Sequence, residues 1–243
     1  MDGKINLKVL ILDRDFYALE SINSYLAWDR RTRVVALVQS LDEALQFMDA
    51  VADAELPDVV LLDPEAFPDT ISLKTAITKL RTRINGVMVI CLGHTADGNR
   101  AAAAADAGAR GYLLRNEVKL QIASAICYAL DYPFIVTNGI REASSFDEHV
   151  SNASLLPTER KFPGMTDRVR QALWLCVIQG MPAQLAADEM GVSTHTVRSY
   201  IKEGYRILET YDSTAYPDEM GPLERAFMRF TALESDTGEK PVE

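Results

Sequence analysis

The stretch KVLILDRDFYALE, residues 8–20, sets an apolar run (Val9, Leu10, Ile11, Leu12) against Asp13 and then a helix-like pattern. An apolar run of this length between turn signals fits a buried strand. Four more such runs follow: VVALV at 34–38, VVLL at 59–62, VMVICL at 87–92 and GYLL at 111–114. Between them, Ala, Leu and Ile recur at helical spacing over residues 16–28, 41–54, 71–82, 97–107 and 117–130. Strands alternating with helices predict an α/β fold with a doubly wound parallel sheet, because parallel neighbours need crossover helices. Ligand chemistry in such sheets sits at the carboxyl ends of the strands. Asp13 closes the first strand, and Asp63 closes the third in PDVVLLDPEAFPD. If those strands are adjacent, the two carboxylates converge on one crevice. Arg14, however, stands where a divalent-metal site would want a second acid.

The 243 residues fit two domains, each able to bury a core. Composition is that of a globular chain, 48% hydrophobic and 25% charged, without an apolar run long enough to span a membrane. The N-terminal stretch lacks the features of a secretory signal, so a cytoplasmic protein without membrane partners is expected. Cys91, Cys127 and Cys176 are far apart in apolar sequence, which suits buried thiols and neither a disulfide framework nor a CxxC metal spacing. His94 and His149 have no companions at ligand spacing, so no transition-metal site is predicted. A net charge of −10 argues against non-specific coating of nucleic acid but leaves room for a local DNA-binding face.

The texture changes after residue 131. Residues 132–164, rich in Pro, Gly, Asn and Ser without a sustained period, read as a linker or as short structure packed on the first domain. From residue 165 the pattern is all helical. Thr166 can cap a helix that stops at Gly180, Pro182 suits the first turn of the next, which ends at Gly191, and Ser193 can cap a third. Two short helices joined by GVS form a helix-turn-helix pattern. Leu223, Phe227, Phe230 and Leu233 make an apolar stripe suited to packing or to a dimer face. The expected division is therefore 1–131, a linker over 132–164, a helical domain over 165–234 and an acidic tail over 235–243.

KVLILD, PDVVLLD, VMVICLG and AGARGYLLR together resemble the receiver domain of two-component response regulators. GMPAQLAADEMGVSTHTVRSYIKEGYRIL, residues 180–208, resembles the LuxR-type helix-turn-helix of the NarL/FixJ regulators. The resemblance implies a flavodoxin-like, five-stranded receiver followed by an all-α DNA-binding domain. It implies phosphorylation at Asp63, with magnesium held by that residue, by a pair of acids after the first strand and by a main-chain carbonyl two residues past Asp63. A Ser or Thr ending the fourth strand and a Lys ending the fifth would grip the phosphoryl group.

This chain departs from that pattern. The second acid is Arg14, the hydroxyl position is Gly93, the Lys position is Arg115, and the usual proline is displaced to Pro68. Magnesium wants oxygen ligands in near-octahedral array. At about 5 Å and an effective dielectric of about 20, a unit charge pair is worth on the order of 3 kcal/mol, so replacing an acid by a cation disfavours the metal. Asp15, one residue further on, is the nearest substitute acid. The expectation is a degenerate receiver without a cofactor, in which Arg14, Arg115 or both act as counterions to Asp13 and Asp63. Tyr112, at the aromatic position that moves with the hydroxyl in switching relatives, becomes a core tyrosine opposite Gly93.

On the helical side, Val197, Ile201, Tyr205 and Leu208 form the inward stripe, leaving His195, Arg198, Ser199, Lys202 and Arg206 on or near the outer face. The family match places Arg198, Ser199 and Lys202 against base edges in the major groove. Thr194, Thr196 and Tyr200 suit phosphate contacts. Asp188, Glu189 and Glu203 oppose binding. Residues 160–206 carry seven Lys or Arg against four Asp or Glu, so one domain should bind weakly and a homodimer on two half-sites would compensate. No P-loop, GxGxxG or nucleophile-base pairing is present, so no enzyme is expected. The reading is a sequence-specific regulator of double-stranded DNA, an atypical response regulator independent of conventional aspartyl phosphorylation. Two alternatives stand beside it: a conventional phosphorylation-activated two-component regulator, and an interaction protein that binds RNA polymerase or another regulator in place of DNA.

Overall fold

The computed structural model describes residues 6–143, 148–212 and 214–234. The tail expected at 235–243 lies outside the described residues. The chain divides into two compact units, residues 1–158 and 159–243.

In the first unit β1 (Leu7–Leu12), α1 (Phe16–Ala27), β2 (Thr32–Val38), α2 (Leu41–Ala50), β3 (Val59–Leu62), α3 (Thr70–Arg83), β4 (Met88–Gly93), α4 (Gly98–Asp106) and β5 (Gly111–Leu114) alternate as expected. Every residue of β3, β4 and β5 is buried. Strands covered on both faces need apolar side chains on both, which is why they read as unbroken hydrophobic runs. The strand order is β2-β1-β3-β4-β5, with every pair parallel. The register pairs Leu12 with Leu62 and Gly93 with Leu114. Asp13, Asp63 and Arg115 each follow one of these paired residues and so emerge at the same end of the sheet.

The sheet does not stop at five strands. β6 (Ile135–Val136) and β7 (Ser154–Leu155) continue it in parallel, giving seven, with α7 (Asn138–Ala143) and α8 (Glu148–Ser151) between them. Much of the segment read as a linker is thus short structure on the first unit, the other reading it allowed. Ile135, Val136 and Ile140 are completely buried, and Leu156 N–H donates to the Val136 carbonyl at 2.8 Å. Burial of those side chains outweighs the weak local propensity of a segment rich in turn formers.

The helix expected over 117–130 is broken. α5 (Arg115–Val118) begins directly after β5, Lys119 turns the chain with φ +47°, and α6 (Ile122–Ala129) resumes. A side chain in that left-handed region is disfavoured, so tertiary packing must hold Lys119 there. The early start places Arg115 in the first turn of α5, at the mouth of the crevice.

The second unit contains α9 (Asp167–Leu173), α10 (Ala183–Met190), α11 (Thr194–Tyr211) and α12 (Pro222–Phe230). Thr166 caps α9 through Val169 N–H, Ser193 caps α11 through Thr196 N–H, and Gly191 ends α10 in the left-handed conformation at φ +64°. The first of these helices continues into a π turn over Trp174–Ile178. A π turn accommodates one extra residue within a helix. Val177 and Ile178 remain buried through it.

Ala172, Cys176, Ala186, Ala187, Met190 and Val197 form the core between α9, α10 and α11. Gly204 permits the close crossing of α9 and α11, since a Cβ there would lie 2.8 Å from Leu173 side-chain atoms. The α12 stripe packs within this unit: Phe227 is buried, and Phe230 stacks on Phe162 at a centroid distance of 6.3 Å. Among the described residues no helix is long and apolar enough to cross a membrane.

Candidate functional site

Asp13 and Asp63 converge at the carboxyl end of the sheet, 1% and 7% exposed. Their backbones continue the ladder, Asp13 N–H donating to the Val38 carbonyl at 3.1 Å and Asp63 N–H to the Leu12 carbonyl at 2.8 Å. Arg115 reaches across from α5. Its Nη2 donates to Asp13 Oδ2 at 2.5 Å and lies 3.4 Å from Asp63 Oδ1, while its Nε donates to the Leu92 carbonyl at 2.9 Å. A planar guanidinium has donors enough for all three partners, which a compact ammonium would not span in the same way.

Arg14 does not share this role. Its side chain is exposed and makes no ion pair among the described residues, and its carbonyl accepts from Gln39 Nε2 at 3.1 Å. Of the two arginines proposed as counterions, Arg115 alone pairs with the acids. Asp15 is committed to capping α1, accepting from Tyr17 N–H at 2.8 Å.

These donors do not fit magnesium. Asp13 already accepts from Asp15 N–H through Oδ1 and from Arg115 through Oδ2, so both oxygens of the acid that would bind it are engaged. A permanent cation also lies between the two carboxylates, where a dication would have to sit. Among the described residues no cluster of three or more His, Cys, Asp or Glu is placed for a metal.

Glu65 belongs to the crevice as well, although the motif comparison did not single it out. It lies in the 3-10 turn Pro64–Ala66 that Asp63 caps, and Glu65 N–H donates to Asp63 Oδ1 at 3.1 Å. Burial, the side-chain bond to Glu65 and the nearby Asp13 charge push the Asp63 carboxyl up to about 7, against the opposing pull of Arg115. Burial would raise Glu65 too. The bonds from Asp63, Thr95 and His94 outweigh it and hold Glu65 below the usual carboxylate range. Glu65 Oε2 is buried and accepts no bond among the described residues. A proton on Asp63 supplies that missing donor.

This pair gives a pH signature. Asp63 binds its proton more tightly folded than unfolded, so the resulting stabilisation is fully present below its ordinary pKa and is lost as pH rises through about 7. Between about pH 5 and pH 8 the parent should lose on the order of 2 kcal/mol relative to Asp63→Asn, which cannot titrate there. Urea midpoints of the two proteins across that range provide the check. Parallel curves would show that Asp63 titrates as an ordinary carboxyl.

Tyr112 is fully buried, and its hydroxyl has no hydrogen-bond partner among the described residues. The three cysteines are free and buried, with burial pushing each thiol up, as expected of core residues.

In the second unit α11 presents His195, Arg198, Ser199, Lys202 and Arg206 to solvent. Arg198 and Lys202, one helical turn apart on one face, have no side-chain bond or ion pair among the described residues. The other candidates are more engaged. Arg206 is held by Glu203 at 2.6 Å, Ser199 Oγ donates back to the His195 carbonyl at 3.1 Å, and the Thr196 hydroxyl lies 2.8 Å from that of Ser193. Thr194 is half-buried at the first turn, and Tyr200, also half-buried, packs against the helical core. On α10, Asp188 and Glu189 are exposed.

A family profile described as Sigma-70, region 4 matches residues 159–208, which span α9, the π turn, α10 and most of α11. No curated protein matches the sequence. Among solved structures, the two-component response regulator RcsB–DNA complex superposes with a TM-score of 0.51 at 16% identity, covering 91% of this chain and 97% of that one. A structure of two RcsB dimers bound to two parallel DNAs gives 0.50 at 16% identity over 82% and 89%. A two-component response regulator of the LuxR family from Aurantimonas sp. SI85-9A1 gives 0.49 at 15% identity over 58% and 96%. The fold is that of the two-domain response regulators, a receiver-type α/β unit followed by a helix-turn-helix unit.

Proposed function

We propose that this protein is a sequence-specific DNA-binding transcription regulator whose receiver-like unit is fixed in one state by an internal ion pair and does not depend on aspartyl phosphorylation. The observation that carries the receiver half is Arg115, which bridges Asp13 at 2.5 Å and Asp63 at 3.4 Å where a metal and a phosphoryl group would need room. Displacing it would leave buried carboxylates unpaired, a state that costs several kcal/mol in proteins. The role is one of binding and not of catalysis, and its working compartment is the cytoplasm.

The DNA half is supported by α11, whose exposed Arg198 and Lys202 have no side-chain partner among the described residues and project from a helix preceded by a short turn. In helix-turn-helix proteins this second helix enters the major groove, and two copies on half-sites one turn apart strengthen weak single-domain binding. RcsB has been captured on DNA as dimers, which favours the same mode here. Selection from random double-stranded oligonucleotides by the full chain tests this half, the expected result being enrichment of a two-part site.

A second reading has its own observation. Arg206 is neutralised by Glu203, and Asp188 and Glu189 are exposed on the helix before α11. These weaken the electrostatic attraction to phosphates and favour a face for RNA polymerase or another regulator. Absence of any enriched DNA site would support that reading over DNA binding.

A further inference from the structure

We propose that Glu65 is the built-in anionic ligand of the receiver-like crevice: its carboxylate fills an oxyanion cradle at the end of β4 and holds the β4–α4 loop in place, where an external oxyanion would otherwise bind. This deepens the phosphorylation-independent reading and rests on it for its functional meaning.

Three donors converge on a single oxygen. Glu65 Oε1 accepts from His94 N–H at 3.0 Å, from Thr95 N–H at 3.1 Å and from the Thr95 hydroxyl at 3.0 Å. Consecutive backbone N–H groups with a hydroxyl beside them form a concavity suited to a negatively charged oxygen. The surroundings are shaped to that occupant. A Cβ at Gly93 would lie 3.3 Å from Glu65 Oε1, 3.2 Å from the Tyr112 hydroxyl and 3.2 Å from Pro64 Cγ. The residue before the cradle therefore carries no side chain, and the hydroxyl facing Glu65 comes from Thr95 two positions later. The Tyr112 side chain, fully buried and without a hydrogen-bond partner for its hydroxyl among the described residues, borders the same Gly93 position.

The turn that bears Glu65 is itself clamped. Arg100 on α4 donates to the carbonyls of Pro64 at 2.7 Å, Phe67 at 3.0 Å and Pro68 at 3.3 Å. The loop after β3 and the start of α4 are thus tied in both directions, by Glu65 to residues 94 and 95 and by Arg100 back to residues 64–68. With Arg115 locking Asp13 to the end of β4, the crevice carries its own anion and its own cation.

Hydrogen exchange at the amides of His94 and Thr95 tests the proposal, using the full chain, Glu65→Ala and Glu65→Gln, each with and without millimolar inorganic phosphate. In Glu65→Ala these two amides should exchange about tenfold faster than in the parent, since each loses a charge-assisted bond. Phosphate should restore much of their protection in that variant and leave the parent unchanged. Glu65→Gln, which keeps an acceptor but not the charge, should fall between the two. If Glu65→Ala loses protection in β3 and β4 as well, the glutamine variant decides, and exchange equal to the parent's there overturns the proposal. Parent-like protection in a folded Glu65→Ala overturns it too, as does phosphate slowing exchange equally in the parent. Covalent phosphorylation of the parent at Asp63 would instead overturn the one-state reading, a separate result read by mass.

Discussion

Arg115→Ala is expected to lower the free energy of unfolding by about 3 kcal/mol at neutral pH, the range found when one partner of a buried ion pair is removed. The size follows from what remains. Asp13 has a side chain only 2% exposed and would keep its bond from Asp15 N–H while losing its one cationic partner among the described residues. Asp63 would lose its counterion as well, and the Leu92 carbonyl its donor. Part of the loss should disappear at about pH 5, because an unpaired buried carboxyl escapes its desolvation penalty by taking up a proton. Arg115→Lys keeps the charge but not the fork and should lose less. Urea unfolding of the three proteins at both pH values measures this. A change below about 0.5 kcal/mol at neutral pH, the scale of an ordinary surface substitution, would mean that the bridge carries no stability.

Arg198→Ala is expected to abolish selection of a specific site while leaving the fold intact. Arginine can give two parallel bonds to guanine O6 and N7, and a bidentate pair of this kind is worth about 1–3 kcal/mol of discrimination against other bases. Arg198 is exposed and free of intramolecular partners among the described residues, so its replacement removes nothing that stabilises the unit. Lys202→Ala should also abolish selection if it reads a base; if it holds a phosphate, binding should weaken for all sequences and the salt dependence should fall by about one unit of slope. Arg206→Ala serves as the internal comparison. Its charge is offset by Glu203 within the same helix, so its effect should be the smallest of the three. Equal enrichment by parent and Arg198→Ala would remove Arg198 from the base-reading set.

The parallel sheet was legible because strands buried on both faces must be apolar throughout, and VVLL or GYLL leaves little room for another reading. β6 and β7 were not, since two residues apiece carry no period; only the burial of Ile135 and Val136 against β5 makes them strands. The counterion role of Arg115 could be anticipated from its place after the fifth run. Whether Arg14 shared it could not, because a residue directly after Asp13 can project into the crevice or out of it. Glu65 left the faintest trace. Its partners are mainly backbone N–H groups, which every non-proline residue possesses, so no residue type announces the cradle. The available signal was an acid two positions after Asp63 combined with a glycine at 93. In the helical unit the π turn over Trp174–Ile178 is a matter of hydrogen bonding, which no residue type announces.

The central claim is that the crevice carries its own counterion and does not accept a phosphoryl group. Incubation of the full chain with magnesium and acetyl phosphate, followed by intact mass and gel filtration, tests it most directly. The expected result is an unchanged mass and an unchanged elution position. Stoichiometric gain of one phosphoryl group with a change of assembly would contradict the account and make the protein a conventional switch.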